Sequence, residues 1–377
     1  MELTSVCIPN FQEIIFKTHL GRFYREEVAY KSAALPIFFA GIFAYTLYRL
    51  VAKRNREMKS GRPVTIAIEE HYNDPNLVAH FTGLDLIRPP HIEMKLLDIG
   101  EIRLREMDEG AIDIQVLSHA GPTTQKLEPE IAIRMAKVTN DGLAAVIARA
   151  PDRFAGFAVL PTPAPEAAAD ELERCVAELG FKGAVVNGLT NGKFLDEREF
   201  WPILARAERL GAPIYLHPAL PNPDVDKVYY ENLSASFPEL RGPVWGFTAE
   251  TATQAIRMVL SGALSEYPKL QLILGHLGEA LPFMLWRIDD LLARPVSDGM
   301  TFSDIFRCNF HLTTSGNFSD TALACSIAEM GIDRILFAVD WPFASNKAAT
   351  DWVKRTALSE GDKAKILGEN ARKLLKM

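Results

Sequence analysis

The sequence predicts an α/β chain folded as a (β/α)8 TIM barrel with an N-terminal apolar helix extension. Two observations carry this. Short apolar runs alternate with segments of helical period across residues 63–377, and several of those runs stop at a histidine or a carboxylate. Strands buried on both faces read as unbroken apolar runs, and barrel enzymes carry their chemistry at the carboxyl ends of such strands. The runs are Val64 to Glu69, Ile112 to Ser118, Phe154 to Leu160, Gly183 to Asn187, Pro213 to His217, Leu270 to His276, His311 to Ser315 and Ile335 to Asp340. An open doubly wound sheet is the alternative for the same alternation.

Helical period marks Glu130 to Arg149, Glu166 to Leu179, Glu197 to Leu210, Ala249 to Glu266, Pro282 to Leu292, Ser319 to Met330, and Lys347 to Lys376 in two pieces. Asp196 and Ser319 are candidate N-caps, and Gly180, Gly211 and Gly331 candidate stops, because a short polar side chain satisfies first-turn amides and glycine tolerates the left-handed cap. Two long connections break the rhythm, Tyr72 to Leu97 and the proline- and aromatic-rich Pro218 to Gly246. Both leave the expected catalytic face, where long loops act as lids or subunit contacts.

The first residues have another pattern. From Ser32 to Tyr48 no residue is charged, and the apolar stretch resumes after Arg49. That length sits at the short end for a bilayer span, and the cluster Lys53, Arg54, Arg56, Lys59 and Arg62 would hold residues 63–377 on the cytosolic side. Two readings stand: a membrane-embedded helix at about 32–52 that anchors a cytosolic catalytic domain, or an apolar helix packed on protein. Residues 1–62 are thus an extension and 63–377 the catalytic domain. A net charge of -7 with no basic stripe argues against a nucleic-acid partner. The four cysteines, Cys7, Cys175, Cys308 and Cys325, lack C-x-x-C spacing and fit reduced thiols.

Strand one ends in Glu69-Glu70-His71, strand five in His217, strand six in His276 and strand eight in Asp340. Residues two apart in a strand share a face, so Glu69 and His71 converge while Glu70 points away. Carboxylates and imidazoles aimed at one point suit a single divalent ion such as Zn²⁺ or Mn²⁺. Singly, each residue has a blander reading: a strand-end histidine is more often a hydrogen-bonded core group, and an aspartate such as Asp340 a turn residue. Their joint position is the signal. His19, His80, His91 and His311 lack it and read as structural or loop residues, while His119 stays open as a pocket residue.

The stretches Ile68-Glu69-Glu70-His71, Tyr215-Leu216-His217-Pro218, Gly275-His276-Leu277-Gly278-Glu279, Trp286-Arg287-Ile288-Asp289, Leu312-Thr313-Thr314-Ser315-Gly316-Asn317-Phe318 and Asp340-Trp341-Pro342-Phe343 resemble the amidohydrolase superfamily. Within it they resemble the non-oxidative aromatic acid decarboxylases of the aminocarboxymuconate-semialdehyde decarboxylase branch, which include γ-resorcylate, 2,3-dihydroxybenzoate and 6-methylsalicylate decarboxylases. The resemblance covers about residues 64–376. Hydrolytic members generally begin with His-x-His, and many carry a carboxylated lysine at the end of strand four; here the pattern is Glu69-x-His71, and strand four ends in Asn187.

The resemblance implies that Glu69, His71, His217 and Asp340 ligate one Zn²⁺ or Mn²⁺, with no organic cofactor. It implies proton transfer by Asp340, His276 and Glu279, a substrate pocket that includes Phe343, Trp245 and Arg287, and a homo-oligomer, dimer or tetramer. The substrate class it implies is an ortho-hydroxylated aromatic acid, which loses CO2 to give a phenol. Two rivals remain at this point: a metal-dependent hydrolase of a lactone or amide on the same barrel, and a membrane-tethered scaffold without activity.

Overall fold

Eight parallel strands close into a barrel, and the closure runs through the residues that matter for function. The computed structural model describes residues 62–377, so the expected N-terminal helix at about 32–52 lies outside the described residues. No helix among the described residues is long and apolar enough to cross a membrane. The strand pieces are β1 (Ile66–Tyr72), β2 (Ile114–His119), β3 (Phe154–Gly156), β4 (Ala158–Val159), β5 (Ala184–Asn187), β6 (Ile214–His217), β7 (Leu272–Leu274), β8 (Phe310–Thr313) and β9 (Ile335–Leu336). They pair in parallel as β1-β2-β3 and β4 through β9.

β3 and β4 form one barrel strand that changes partner at Phe157. The Phe157 N–H donates to Leu117 O at 2.9 Å, and the next residue, Ala158, donates to Gly183 O at 2.9 Å. The ring closes where Ile68 N donates to Phe337 O at 3.2 Å, Asp340 N to Glu69 O at 3.0 Å and His71 N to Trp341 O at 2.7 Å. Gly183, at φ 154°, shows how tightly neighbouring strands approach: a Cβ there would lie 2.3 Å from Pro213 O.

Alternating residues sort into two apolar layers. Ile66, Ile68, Val116, Phe157, Val185, Tyr215, Ile273, Leu336 and Ala338 pack as one cluster inside the barrel. Leu117, Val186, Leu216, Leu274, Leu312 and Phe337 face the helices in another. Both faces are dry, which explains the unbroken apolar runs.

The principal helices are α1 (Pro90–Leu97), α2 (Glu101–Glu109), α3 (Pro129–Arg149), α4 (Pro165–Ala177), α5 (Trp201–Leu210), α6 (Gly246–Leu260), α7 (Leu281–Leu292), α8 (Phe302–Asn309), α9 (Asp320–Met330), α10 (Asn346–Arg355) and α11 (Asn370–Leu375). Three of these are not foreseen by the period. α1 falls inside the connection expected as a loop. α2 hides its amphipathicity because its buried positions are Arg103 and Met107. α8 begins with a capping box, Thr301 with Asp304, a local signal that the period alone passes over.

Ser319 is the N-cap expected, accepting from Ala322 N, and Gly211 closes α5 at φ 58°. Asp196 is not a cap. Its carboxylate is taken by Arg257 at 2.8 and 3.1 Å, and Glu197 stands at the cap position of the short turn Arg198–Phe200 without a side-chain capping bond, its carboxylate accepting from Phe194 N instead. The Pro218 to Gly246 connection contains only short helical turns and exposes Val228, Tyr229, Phe237 and Val244.

Candidate metal centre

A bulge in β1 aims the first two candidate ligands. Ala67 pairs with Gln115 and Glu70 with Leu117, so β1 spends one more residue than β2 over that interval. Ile66 and Ile68 belong to the interior cluster, and without the extra residue Glu70 would turn inward after them. With it, Glu69 and His71 turn in and Glu70 turns out, where it accepts from Val339 N at 2.9 Å and Gln115 Nε2 at 3.0 Å. A bulge beside a site that re-aims a side chain is a recurring device.

Glu69, His71, His217 and Asp340 each present a ligand atom, and these atoms all lie within 4.8 Å of one another. His71 Nε2 is 3.2 Å from Asp340 Oδ1, and His217 Nε2 is 3.4 Å from Glu69 Oε1. Each imidazole is anchored through its other nitrogen. His71 Nδ1 meets Ser118 Oγ at 3.2 Å, and His217 Nδ1 meets Pro218 O at 2.8 Å. Such outer partners fix ring orientation and leave Nε2 for an ion. Glu69 Oε1 and His71 Nε2 are buried and have no hydrogen-bond partner. Buried polar atoms are otherwise almost always paired, so the cluster fits one divalent cation. Two imidazoles and two carboxylates suit Mn²⁺ or Zn²⁺.

Glu69's second oxygen is held by the Tyr215 hydroxyl and by Thr313 Oγ1 at 3.2 Å. Burial raises the Glu69 carboxyl and, together with His71, pushes His217 well below the ordinary range of histidine. Gly275 keeps space here: a Cβ would lie 3.1 Å from Ser315 Oγ, 3.2 Å from the Tyr215 hydroxyl and 3.3 Å from Glu69 Oε2.

His276 stands beside the cluster, outside its ligand set. Its Nδ1 is 2.7 Å from Glu279 Oε1, and its Nε2 is 3.9 Å from Asp340 Oδ2. Burial opposes a charge on His276, but Glu279 and Asp340 outweigh it and hold the imidazole well above its ordinary value. Burial also opposes charge on Asp340, and there the neighbouring His276 and His71 imidazoles keep the carboxyl below the usual range. Asp340 adopts φ 71° and His276 φ 53°, uncommon for residues with a side chain and concentrated at functional sites.

The other expected site residues divide. Phe343 is half-exposed, with its ring centroid 5.9 Å from that of His71. Trp245 is also half-exposed and stands at the N-cap of α6. Arg287 lies exposed on α7 among Phe283 and Trp286, and no hydrogen bond or ion pair among the described residues joins it to the cluster. His119 is not a free pocket group. Its Nε2 accepts from Asp74 N at 2.8 Å and its Nδ1 donates to Ala120 O at 2.7 Å.

His311 is structural as expected, paired with Gln271 and Arg334 at the other end of β8. Tyr215, Thr313 and Ser315 carry no role in the sequence reading, although Tyr215 lies two residues before His217 and so shares its face. Thr248, which donates to Glu279 Oε2 at 2.7 Å, has no local signal at all.

A parallel barrel with one mixed carboxylate and imidazole cluster at its mouth is the architecture of metal-dependent barrel enzymes, and the chain belongs to the amidohydrolase family, whose match spans residues 78–377. Among curated relatives it is 41% identical over 327 residues to a gamma-resorcylate decarboxylase of Rhizobium sp. (strain MTP-10005), covering 83% of this chain and 98% of the relative. Among solved structures it is similar to a 2,6-dihydroxybenzoate decarboxylase complexed with 2,6-dihydroxybenzoate, with 40% identity, a TM-score of 0.76, and coverage of 84% of this chain and 100% of that one. A dihydroxybenzoic acid decarboxylase from Polaromonas sp. JS666, with bound manganese and the inhibitor 2-nitroresorcinol, matches at 40% identity and a TM-score of 0.77, covering 83% and 97%.

Proposed function

We propose that the protein is a metal-dependent, non-oxidative decarboxylase of an ortho-hydroxylated aromatic acid of the dihydroxybenzoate or resorcylate type. The observation that carries this reading is one ion-sized cluster, Glu69, His71, His217 and Asp340, with the hydrogen-bonded His276–Glu279 pair set against Asp340. The relatives' substrates support the choice of ring.

Direct loss of CO2 would leave an electron pair in an sp² orbital of the ring. Protonation of the carbon that bears the carboxylate avoids this, because the electrons of the breaking carbon–carbon bond then restore the aromatic system. Glu69, His71, His217 and Asp340 would hold the ion, which when bound supplies Lewis acidity and a template for the carboxylate and ortho oxygen. Glu279 fixes His276 Nδ1 and so points Nε2 at Asp340. The proton held at His276 Nε2 passes to the Asp340 carboxylate and from there to the ring carbon, CO2 departs, and solvent reprotonates His276. Phe343 provides an apolar wall for the ring beside His71.

The exposed apolar face of α7, with Phe283 and Trp286, supports assembly of copies through that helix, and Arg287 belongs to that face. The test is CO2 release and product chromatography over a panel of hydroxybenzoates, with and without Mn²⁺ or Zn²⁺. Ion-dependent CO2 release with formation of the matching phenol is expected. Hydrolysis of lactones or amides without any CO2 release from the panel would overturn the reading.

A further inference from the structure

After β7 the backbone turns left-handed for five residues in succession. His276 (φ 53°), Leu277 (59°), Gly278 (89°), Glu279 (52°) and Ala280 (62°) all have positive φ, and only one of them is glycine. Residues with a side chain are strained in that region, so the surroundings must hold the turn in place. Its benefit is geometric: residues three apart come to one side, which brings the Glu279 carboxylate onto His276 Nδ1 at 2.7 Å.

Four side chains outside the turn hold it. Ser315 Oγ accepts from His276 N at 3.0 Å, Asn317 Nδ2 donates to His276 O at 3.3 Å, and Ser326 Oγ donates to Leu277 O at 3.0 Å. These three grip the backbone and come from the chain after β8. The fourth, Thr248, grips the carboxylate itself at 2.7 Å and comes from α6, which starts where the Pro218 to Gly246 connection ends.

We propose that Thr248 is a positioning residue for the His276–Glu279 pair, a role that rests on the decarboxylase reading for its consequence in turnover. Glu279 is 1% exposed, so both its oxygens need donors from the protein. Oε1 has His276 and Oε2 has Thr248. The hydroxyl makes Glu279 the acceptor on both sides, which leaves His276 Nδ1 as donor and commits Nε2 to Asp340. The helix start that carries Thr248 is itself rigidly seated, since a Cβ on Gly246 would lie 2.1 Å from Arg241 O. The docking of the connection before α6 is thereby transmitted to the imidazole.

Thr248→Val keeps the shape and removes the hydroxyl, whereas Thr248→Ser keeps the hydroxyl. With Mn²⁺-loaded protein and 2,6-dihydroxybenzoate, Thr248→Val is expected to lower kcat about tenfold while KM stays within about twofold. Thr248→Ser keeps at least about half of the wild-type kcat. Unchanged kcat in Thr248→Val overturns the proposal, as does an equal loss in both variants.

A second measurement needs no turnover. Peptide-resolved hydrogen–deuterium exchange at His276 C2 is expected to change its half-life at least about twofold in Thr248→Val and not in Thr248→Ser, since the charge facing the imidazole has lost its fixed position. Equal half-lives overturn the proposal. If the wild type releases no CO2 from any hydroxybenzoate, the functional reading fails, and the exchange measurement still decides whether Thr248 positions His276.

Discussion

The carboxyl ends of β2 and β6 each bring a histidine to the mouth of the barrel, His119 fully buried and His217 partly so, and their environments are opposite. His119 gives both ring nitrogens to backbone groups, Asp74 N and Ala120 O. His217 ties only Nδ1, to Pro218 O, and turns Nε2 toward Glu69 Oε1 at 3.4 Å. A histidine at a strand end becomes a ligand when its second nitrogen is left to face other ligands, and a structural strut when both are consumed by the backbone.

The comparison is broken most severely through Asp340, which touches both the His71 and the His276 sides of the site. Asp340→Asn keeps the size of the side chain and abolishes its ability to relay a proton. CO2 release is expected to fall by on the order of 10³-fold, with the fold intact by circular dichroism. Residual activity above a tenth of wild type would contradict the assigned relay.

The two histidines can then be separated directly. His217→Asn is expected to weaken Mn²⁺ binding by on the order of 100-fold, measured by titration of the apo-protein, because a ligand is lost from a four-membered set. His119→Asn should leave Mn²⁺ affinity within about twofold and instead lower stability by about 1–3 kcal/mol, the cost of disturbing buried hydrogen bonds. Equal losses of affinity in the two variants would show that the distinction drawn from the second nitrogen is wrong.

How far the sequence reveals this depends on how local each cause is. The barrel is legible because both faces of every strand are dry, so apolar runs such as Leu270 to Leu274 stand out. The cluster is legible because its members end separate strands. The parity argument puts Glu69 and His71 on the right face, yet the reason is a bulge at Ile68–Glu69 that no alternation pattern announces. α2 escapes the period because Arg103, fully buried and stacked 3.9 Å from the Trp341 ring, occupies a position where an apolar residue is expected. Arg287 lies exposed on a helix beside Phe283 and Trp286, and no spacing rule reports the facing of a helix relative to a cluster on another element. Thr248 meets Glu279 only through tertiary packing, so nothing near either residue in the chain foretells the contact.

The mildest test concerns His119 through pH. Burial lowers its imidazole from 6.5 to about 4, against the hydrogen bonds with Ala120 and Asp74. The unfolded chain binds a proton at this residue as pH drops through about 6.5, whereas the folded protein does so only near 4, so between those values the unfolded state holds more protons. The stability that comes from the neutral, buried ring is therefore fully present above about pH 6.5 and is lost progressively as pH falls toward 4. Between pH 6.5 and 5 the loss amounts to about 2 kcal/mol, at 1.36 kcal/mol per unit. Other groups titrate in the same window, but they are common to wild type and His119→Asn. Urea unfolding at pH 7 and pH 5 should thus show a steeper loss in the wild type than in the variant. Parallel losses would mean that His119 takes up its proton in the folded state as readily as in the unfolded one, and that burial does not keep the ring neutral.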